Sequence, residues 1–312
     1  MSEVGQPEPG TGSPVRVLPL RTTIGHLVRL AHQVHTALWM RELNGDVTGP
    51  QTAILAVLSG RGGLDQRTVG RLASLDKSTT ADVVARLHRT GWIVRERDQN
   101  DGRRDLLHLS PAARVALHGI ATRGQHAQDL LMAPLADADR PVFLELLGRV
   151  AYQGRTPLVD VSAPVAGVPS AAERLHWSLA TAPGHLLRRT LQVHTVLWSS
   201  QVRSSMTPPQ YAVLSALAGG EGLDQTTVGN FASLDKSSTA SVVARLSRRK
   251  LIERSRDPGD ARRNVLRLTA AAAEFLLLVT PQVEEVQVGL LAPLSPGERE
   301  QLVVLMQQIA YR

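Results

Sequence analysis

The 312-residue chain has no cysteine, which excludes disulfides, thiolate nucleophiles, cysteine-ligated zinc, iron–sulfur clusters and sensing by thiol oxidation. Aromatic residues make up only 3%, too few for a platform on which single-stranded nucleic acid stacks. No uncharged apolar run reaches the roughly 18 residues of a membrane helix, and the N-terminal MSEVGQPEPGTGSP has no basic region followed by an apolar stretch. A cytoplasmic location without membrane association is therefore expected. Acidic residues are in deficit, 28 against 35 Lys plus Arg, and the net charge of +7 favours a polyanionic partner. Of the polyanions, duplex DNA fits best, because it demands cations rather than exposed rings.

What the chain does contain is a copy of itself. GHLVRLAHQVHTALW from Gly25 returns as GHLLRRTLQVHTVLW from Gly184, and the same offset carries GLDQRTVGRLASLDKSTTADVVARL from Gly63 onto GLDQTTVGNFASLDKSSTASVVARL from Gly222 without a gap. A period this long marks a duplicated domain rather than a solenoid. The chain divides into a disordered segment 1–15, a first domain 16–153, a linker 154–170 rich in Pro, Gly and small residues, and a second domain 171–312.

In the first copy, helical spacing of Leu27, Leu30, Ala31, Val34 and Leu38 predicts a helix over 22–43, followed by helices over 50–58, 68–73 and 77–89. Asp76 is positioned to cap the last of these and Gly91 to end it. Two short runs flanking the turn-rich QNDG form a β-hairpin, and helices over 111–132 and 137–152 complete the copy. Helix, turn, helix and hairpin together make a winged helix-turn-helix, whose second helix enters the major groove while the hairpin reaches along the backbone. The residues offered to DNA are Lys77, Ser78, Thr79 and Thr80 at the helix start, Arg86 further along, and Arg103 and Arg104 on the wing. Their counterparts are Lys236, Ser237, Ser238, Thr239, Arg245, Arg262 and Arg263. Asp101 is expected to hold a wing arginine through a charge-assisted bond. Replacement of Arg71 by Asn230, Asp82 by Ser241 and Gly91 by Lys250 makes the second copy's DNA-binding region the more basic.

The runs TPPQYAVLSAL (Thr207 to Leu217), LDKSSTASVVARL and above all RDPGDARRNVLRLT (Arg256 to Thr269) resemble the MarR family of bacterial transcriptional regulators. That resemblance implies a mainly α fold with small β-hairpin wings and a helical dimerisation domain formed by the first and last helices. It also implies double-stranded DNA as partner, no enzymatic activity, no cofactor, and repression relieved by a small ligand. Family members are homodimers; with both protomers on one chain, the expectation is a single-chain pseudo-dimer on a pseudo-palindromic operator. The alternative is a constitutive DNA-binding protein without effector response.

His26, Arg29, His35 and Trp39 on the first helix are matched by His185, Arg188, His194 and Trp198. His and Trp four residues apart share a helical face, and an arginine nearby can pair with a carboxylate. The stretch is similar to the branch of the family that binds aromatic carboxylates, in which the Arg and the His contact the ligand. The expectation is one site formed by Arg29, His35 and Trp39 and a second by Arg188, His194 and Trp198, against the plainer possibility that all are interface or core residues. His26, His32 and His35 do not make a convincing metal site, because Leu191 replaces His32 in the second copy.

Overall fold

A computed structural model describes residues 15–99, 101–156, 178–218, 222–256 and 264–312. Most of the segments read as disordered tail and linker, together with Arg262 and Arg263, lie outside the described residues.

The first repeat runs α1 (Ile24–Glu42), α2 (Gly49–Gly60), β1 (Leu64–Asp65), α3 (Gln66–Leu72), α4 (Lys77–Arg89), β2 (Ile93–Arg97), β3 (Asp105–Leu109), α5 (Pro111–Met132) and α6 (Asp139–Tyr152). The second runs α7 (Pro183–Gln201), α8 (Pro208–Ala218), α9 (Gln225–Ala232), α10 (Lys236–Arg248), β4 (Ile252–Arg256), β5 (Asn264–Leu268), α11 (Ala270–Leu290) and α12 (Pro296–Ala310). The starts of these helices are written in short-range chemistry. Thr48 and Gln51 form a reciprocal capping box at α2, Ser110 caps α5 ahead of Pro111, and Asp65, Asp76, Asp224 and Asp235 cap the helix-turn-helix elements. None of the described helices is long and apolar enough to cross a membrane.

The described residues form two compact units. The first lobe comprises the described residues within 31–191 and 293–312, and the second those within 1–30 and 192–292. Repeat and lobe therefore do not coincide: the first lobe takes in the start of α7 and all of α12, and the second lobe takes in the start of α1.

In the first lobe Ile54, Leu55, Leu58, Val69, Val84, Leu87, Ile93, Leu107 and Leu117 form one core with Trp39 and Leu43 of α1. This buried apolar area is what fixes the helix-turn-helix on its support. The wing is an antiparallel pair with Ile93 opposite Leu109 and Arg97 opposite Asp105. The short β1 adds a third strand, Leu64 opposite Leu107, that the sequence reading leaves out as too short to show a period. In the second lobe the equivalent residue Leu223 makes only an isolated bridge to Leu266, beside the β4–β5 pair. The second core gathers Leu214, Val228, Val243, Leu246, Ile252, Leu266 and Val279 around Trp198 and Tyr211. Helix α6 packs on α12 in the first lobe, where the Arg149 guanidinium donates to Glu298 and to the Pro293 carbonyl.

Candidate nucleic-acid interface and ligand pocket

Helix α4 begins on Asp76, whose carboxylate accepts from the Thr79 amide at 2.8 Å, the Thr79 hydroxyl at 2.6 Å and the Ser78 hydroxyl at 2.6 Å. Those bonds hold the Asp76 carboxyl far below the usual carboxylate range. Asp235 repeats the device at α10, accepting from the Ser238 amide and hydroxyl, and is held low for the same reason. The hydroxyls of Ser78, Thr79 and Ser238 thus rest on the cap, while Lys77, Arg86, Lys236, Ser237 and Arg245 stand exposed on the helices that a groove would receive.

Two expected contacts are corrected. Thr80 is 3% exposed and Thr239 is 2% exposed, and each hydroxyl donates to the carbonyl of the capping aspartate, at 2.6 and 2.7 Å. They pack the inner face of the helix and cannot reach DNA. Among the wing residues, Arg103 and Arg104 are exposed, but the acid that holds Arg104 is Asp65, at 2.5 Å, rather than Asp101. Asp101 instead accepts from the Arg103 backbone amide. Because Asp65 also caps α3, the bond ties the wing to the helix-turn-helix.

The arginine and histidine pairs fall into two groups, one in each lobe. In the first lobe Arg188 of α7 donates to the Ala73 and Ser74 carbonyls at 2.8 and 2.7 Å and to Nδ1 of His185 at 3.0 Å. A guanidinium can only donate, so Nδ1 accepts and the His185 proton resides on Nε2, which faces the Tyr152 hydroxyl at 3.4 Å. Among the described residues Arg188 has neutral acceptors only; no carboxylate lies within ion-pair distance of it. Burial, then the neighbouring Arg189, lowers its pKa to about 10. Burial, then Arg188, holds His185 neutral well below the ordinary histidine range.

Arg188 and His185 line a cavity of about 210 Å³ together with His32, His35, Trp39, Thr48, Pro50, Thr52 and Ala53 at the α2 start, Gln128 and Leu179. Trp39 is 3% exposed and fixed by its Nε1 donating to the Val47 carbonyl at 3.0 Å; the His35 ring lies 5.5 Å from it. Burial, then His32, pulls the His35 pKa down to about 3, so the ring is neutral, and its buried Nε2 has no hydrogen-bond partner among the described residues. The approach of α7 to α1 requires Gly184, since a Cβ there would collide with the His35 imidazole. The Gly184 amide is satisfied by Gln128 at 3.1 Å.

The second lobe repeats the frame with the roles of the repeats exchanged. Arg29 donates to the Ala232 and Ser233 carbonyls and to Nδ1 of His26, and Gly25 sits against His194, whose ring lies 5.7 Å from Trp198. Burial, then Arg29, lowers His26 to about 3 and His194 to about 4. The expected grouping of Arg29 with His35 and Trp39 is therefore corrected: His35 and Trp39 line their pocket with Arg188 and His185. The reason is helical geometry. His35 lies six positions after Arg29, which places them about 120° apart around the axis and about 9 Å along it. That spacing is readable in the sequence and was the available signal. Among the described residues no three metal-ligating side chains gather.

Comparison with known proteins agrees with this architecture. The model of the MarR family matches twice, at residues 45–104 and 204–263. The transcriptional regulator HosA of Escherichia coli O111:H- is 34% identical over 125 residues, which span 40% of this chain and 92% of HosA. The HTH-type transcriptional repressor NicR of Pseudomonas putida is 29% identical over 127 residues, 40% of this chain and 80% of NicR. Among solved structures, the PcaV transcriptional regulator from Streptomyces coelicolor in complex with its natural ligand is 43% identical over 43% of this chain and 96% of PcaV, with a TM-score of 0.41. With a winged helix-turn-helix in each repeat and a relative matched over nearly its whole length, the chain belongs to the MarR family and is a DNA-binding transcription regulator rather than an enzyme.

Proposed function

We propose that the chain is a repressor that occupies a pseudo-palindromic operator as a single-chain pseudo-dimer and leaves it when a small aromatic carboxylate binds beside Arg188. The observation that carries this reading is the position of that guanidinium. It borders a largely apolar cavity, has only neutral partners among the described residues, and grips the Ala73 and Ser74 carbonyls in the turn that joins α3 to α4.

Each part of the cavity suits one part of such a ligand. Its volume exceeds the roughly 150 Å³ that suffices for benzene in an apolar protein cavity. Trp39 and Leu179 offer the walls for a ring, and Arg188 offers a charge-assisted contact to a carboxylate that would otherwise be costly to desolvate. Arg188 and His185 act in the lobe that carries α4 although they belong to the other repeat, which supports two protomers exchanging helices within one chain. NicR is named a repressor, in keeping with the direction of control proposed.

The same contacts supply a route to release. A carboxylate is a stronger acceptor than a carbonyl, so a bound acid competes with Ala73 and Ser74 for Arg188. Freed carbonyls loosen the turn that aims α4. The acid shifts the equilibrium only in so far as it prefers that loosened state. Fluorescence anisotropy of a labelled duplex from the DNA flanking the chain's own gene tests this directly. Benzoate or 4-hydroxybenzoate should release the wild type, whereas Arg188→Gln, which retains an amide donor but no charge, should bind the duplex and ignore the acid. Release of Arg188→Gln at the same acid concentrations as the wild type would overturn the reading.

A further inference from the structure

The duplication preserved the charged and aromatic frame of the pocket but not its lining. Thr52 of α2 lines the first-lobe cavity, and its counterpart on α8, 159 residues on, is Tyr211. We propose that Tyr211 fills the second pocket, so that each chain binds one aromatic carboxylate, in the first lobe, and only that lobe responds to it. This inference rests on the aromatic-acid reading above and adds its stoichiometry and direction.

Tyr211 starts from the same helical position as Thr52 and therefore points the same way from its helix, but it carries a ring. That ring is 3% exposed and lies edge-on to Trp198, the counterpart of the pocket wall Trp39, with centroids 6.2 Å apart. Its hydroxyl is fully employed inside the lobe. It accepts from the Leu18 amide at 3.1 Å and lies 3.2 Å from the Thr280 hydroxyl, which itself donates to the Arg16 carbonyl at 3.0 Å. The phenol therefore donates to Thr280, and both of its hydrogen-bonding capacities are met.

The partner has changed together with the ring. Thr280 is fully buried, and at its counterpart in the first lobe stands Ala121, also buried and without a hydroxyl. A phenol and the buried hydroxyl that satisfies it occur in one lobe; a threonine and an alanine with a cavity occur in the other. The segment that Tyr211 anchors is held a second time, by Arg16 donating to both oxygens of Glu284 at 2.8 Å, where the first repeat has Gln125. Val15, Val17, Leu18 and Leu20 pack on the same core as Tyr211.

The consequence for control is asymmetric. A side-chain ring brings no carboxylate, so nothing competes for Arg29, and its bonds to the Ala232 and Ser233 carbonyls ahead of α10 persist whether or not acid is present. The second lobe's aim at DNA is then indifferent to the acid and the first lobe is the sensor, so release follows from loss of the first lobe's half of the operator contacts.

Isothermal titration of the full chain with benzoate, 4-hydroxybenzoate and phenylacetate decides the matter. The wild type should bind one equivalent of the tightest acid. Thr52→Tyr combined with Ala121→Thr, which copies the plug into the first lobe, should bind none; Tyr211→Thr combined with Thr280→Ala, which removes it from the second, should bind two. Should the last protein fail to fold, the wild type and the first double variant still discriminate. Two equivalents on the wild type, or one on the Thr52→Tyr/Ala121→Thr protein, overturn the plug while leaving aromatic-acid binding in place. No binding of any of the three acids to the wild type overturns both.

Discussion

Five histidines bear most of the consequence at the scale of single residues. His26, His32, His35, His185 and His194 are all pushed below the ordinary histidine value, in each case first by burial. Their folded pKa values lie below the unfolded value of 6.5, so the unfolded chain binds more protons in between. Stability is complete above about pH 6.5 and falls as the pH drops, by about 1.4 kcal/mol per pH unit for each histidine, until the folded pKa is reached. For His26, His35 and His194 that floor is at about 3, 3 and 4. At pH 5 three such groups together remove about 6 kcal/mol, which is comparable with the lower end of a usual domain stability of roughly 5–15 kcal/mol. Thermal melts at constant ionic strength should show Tm dropping steeply between pH 7 and 5; a flat profile would mean that these rings are charged or solvated in the folded state. The sequence displayed these histidines and their recurrence. It did not display their burial, and by the same silence it presented Thr80 and Thr239 as contacts when both face inward.

At the scale of elements, the helices, their caps and the wing were legible because each is specified by neighbours in sequence: Asp76 and Asp235 before their helices, Ser110 before Pro111, and apolar positions at helical spacing. Strand β1 was not, since two residues pair only because Leu107 lies opposite. Two predictions belong here. The α4 terminus ends on Gly91 at φ +75°, and the matching residue of α10 is Lys250 at φ +58°. A left-handed lysine costs about 1 kcal/mol that glycine does not, so Lys250→Gly should raise Tm, whereas Gly91→Lys should lower it; the opposite signs would show that the two ends are not equivalent. On the wing, Arg104→Ala removes the bond to Asp65 that ties the hairpin to α3. Operator binding should weaken with a smaller dependence on salt, because a cation and its placement are lost together. An unchanged salt slope would indicate that the wing does not approach the phosphates.

For the whole molecule, the duplication could be read from the sequence without a gap, and the pairing across repeats could not. Periodicity assigns a residue to a helix face but is silent on which copy supplies the neighbour, so Arg188 with His35 emerged only from packing. Likewise the change from Thr52 to Tyr211 was visible by alignment, yet its meaning depends on Thr280 and Leu18, which lie far from it along the chain. The central claim is that one chain does what two protomers of this family do. An inverted repeat with half-sites about one helical turn apart should therefore be covered by a single polypeptide. Native mass spectrometry of the chain with its operator duplex measures this most directly. The account predicts one chain per duplex, lost as the aromatic acid is titrated in; two chains per duplex at the lowest concentration that gives full occupancy would contradict it.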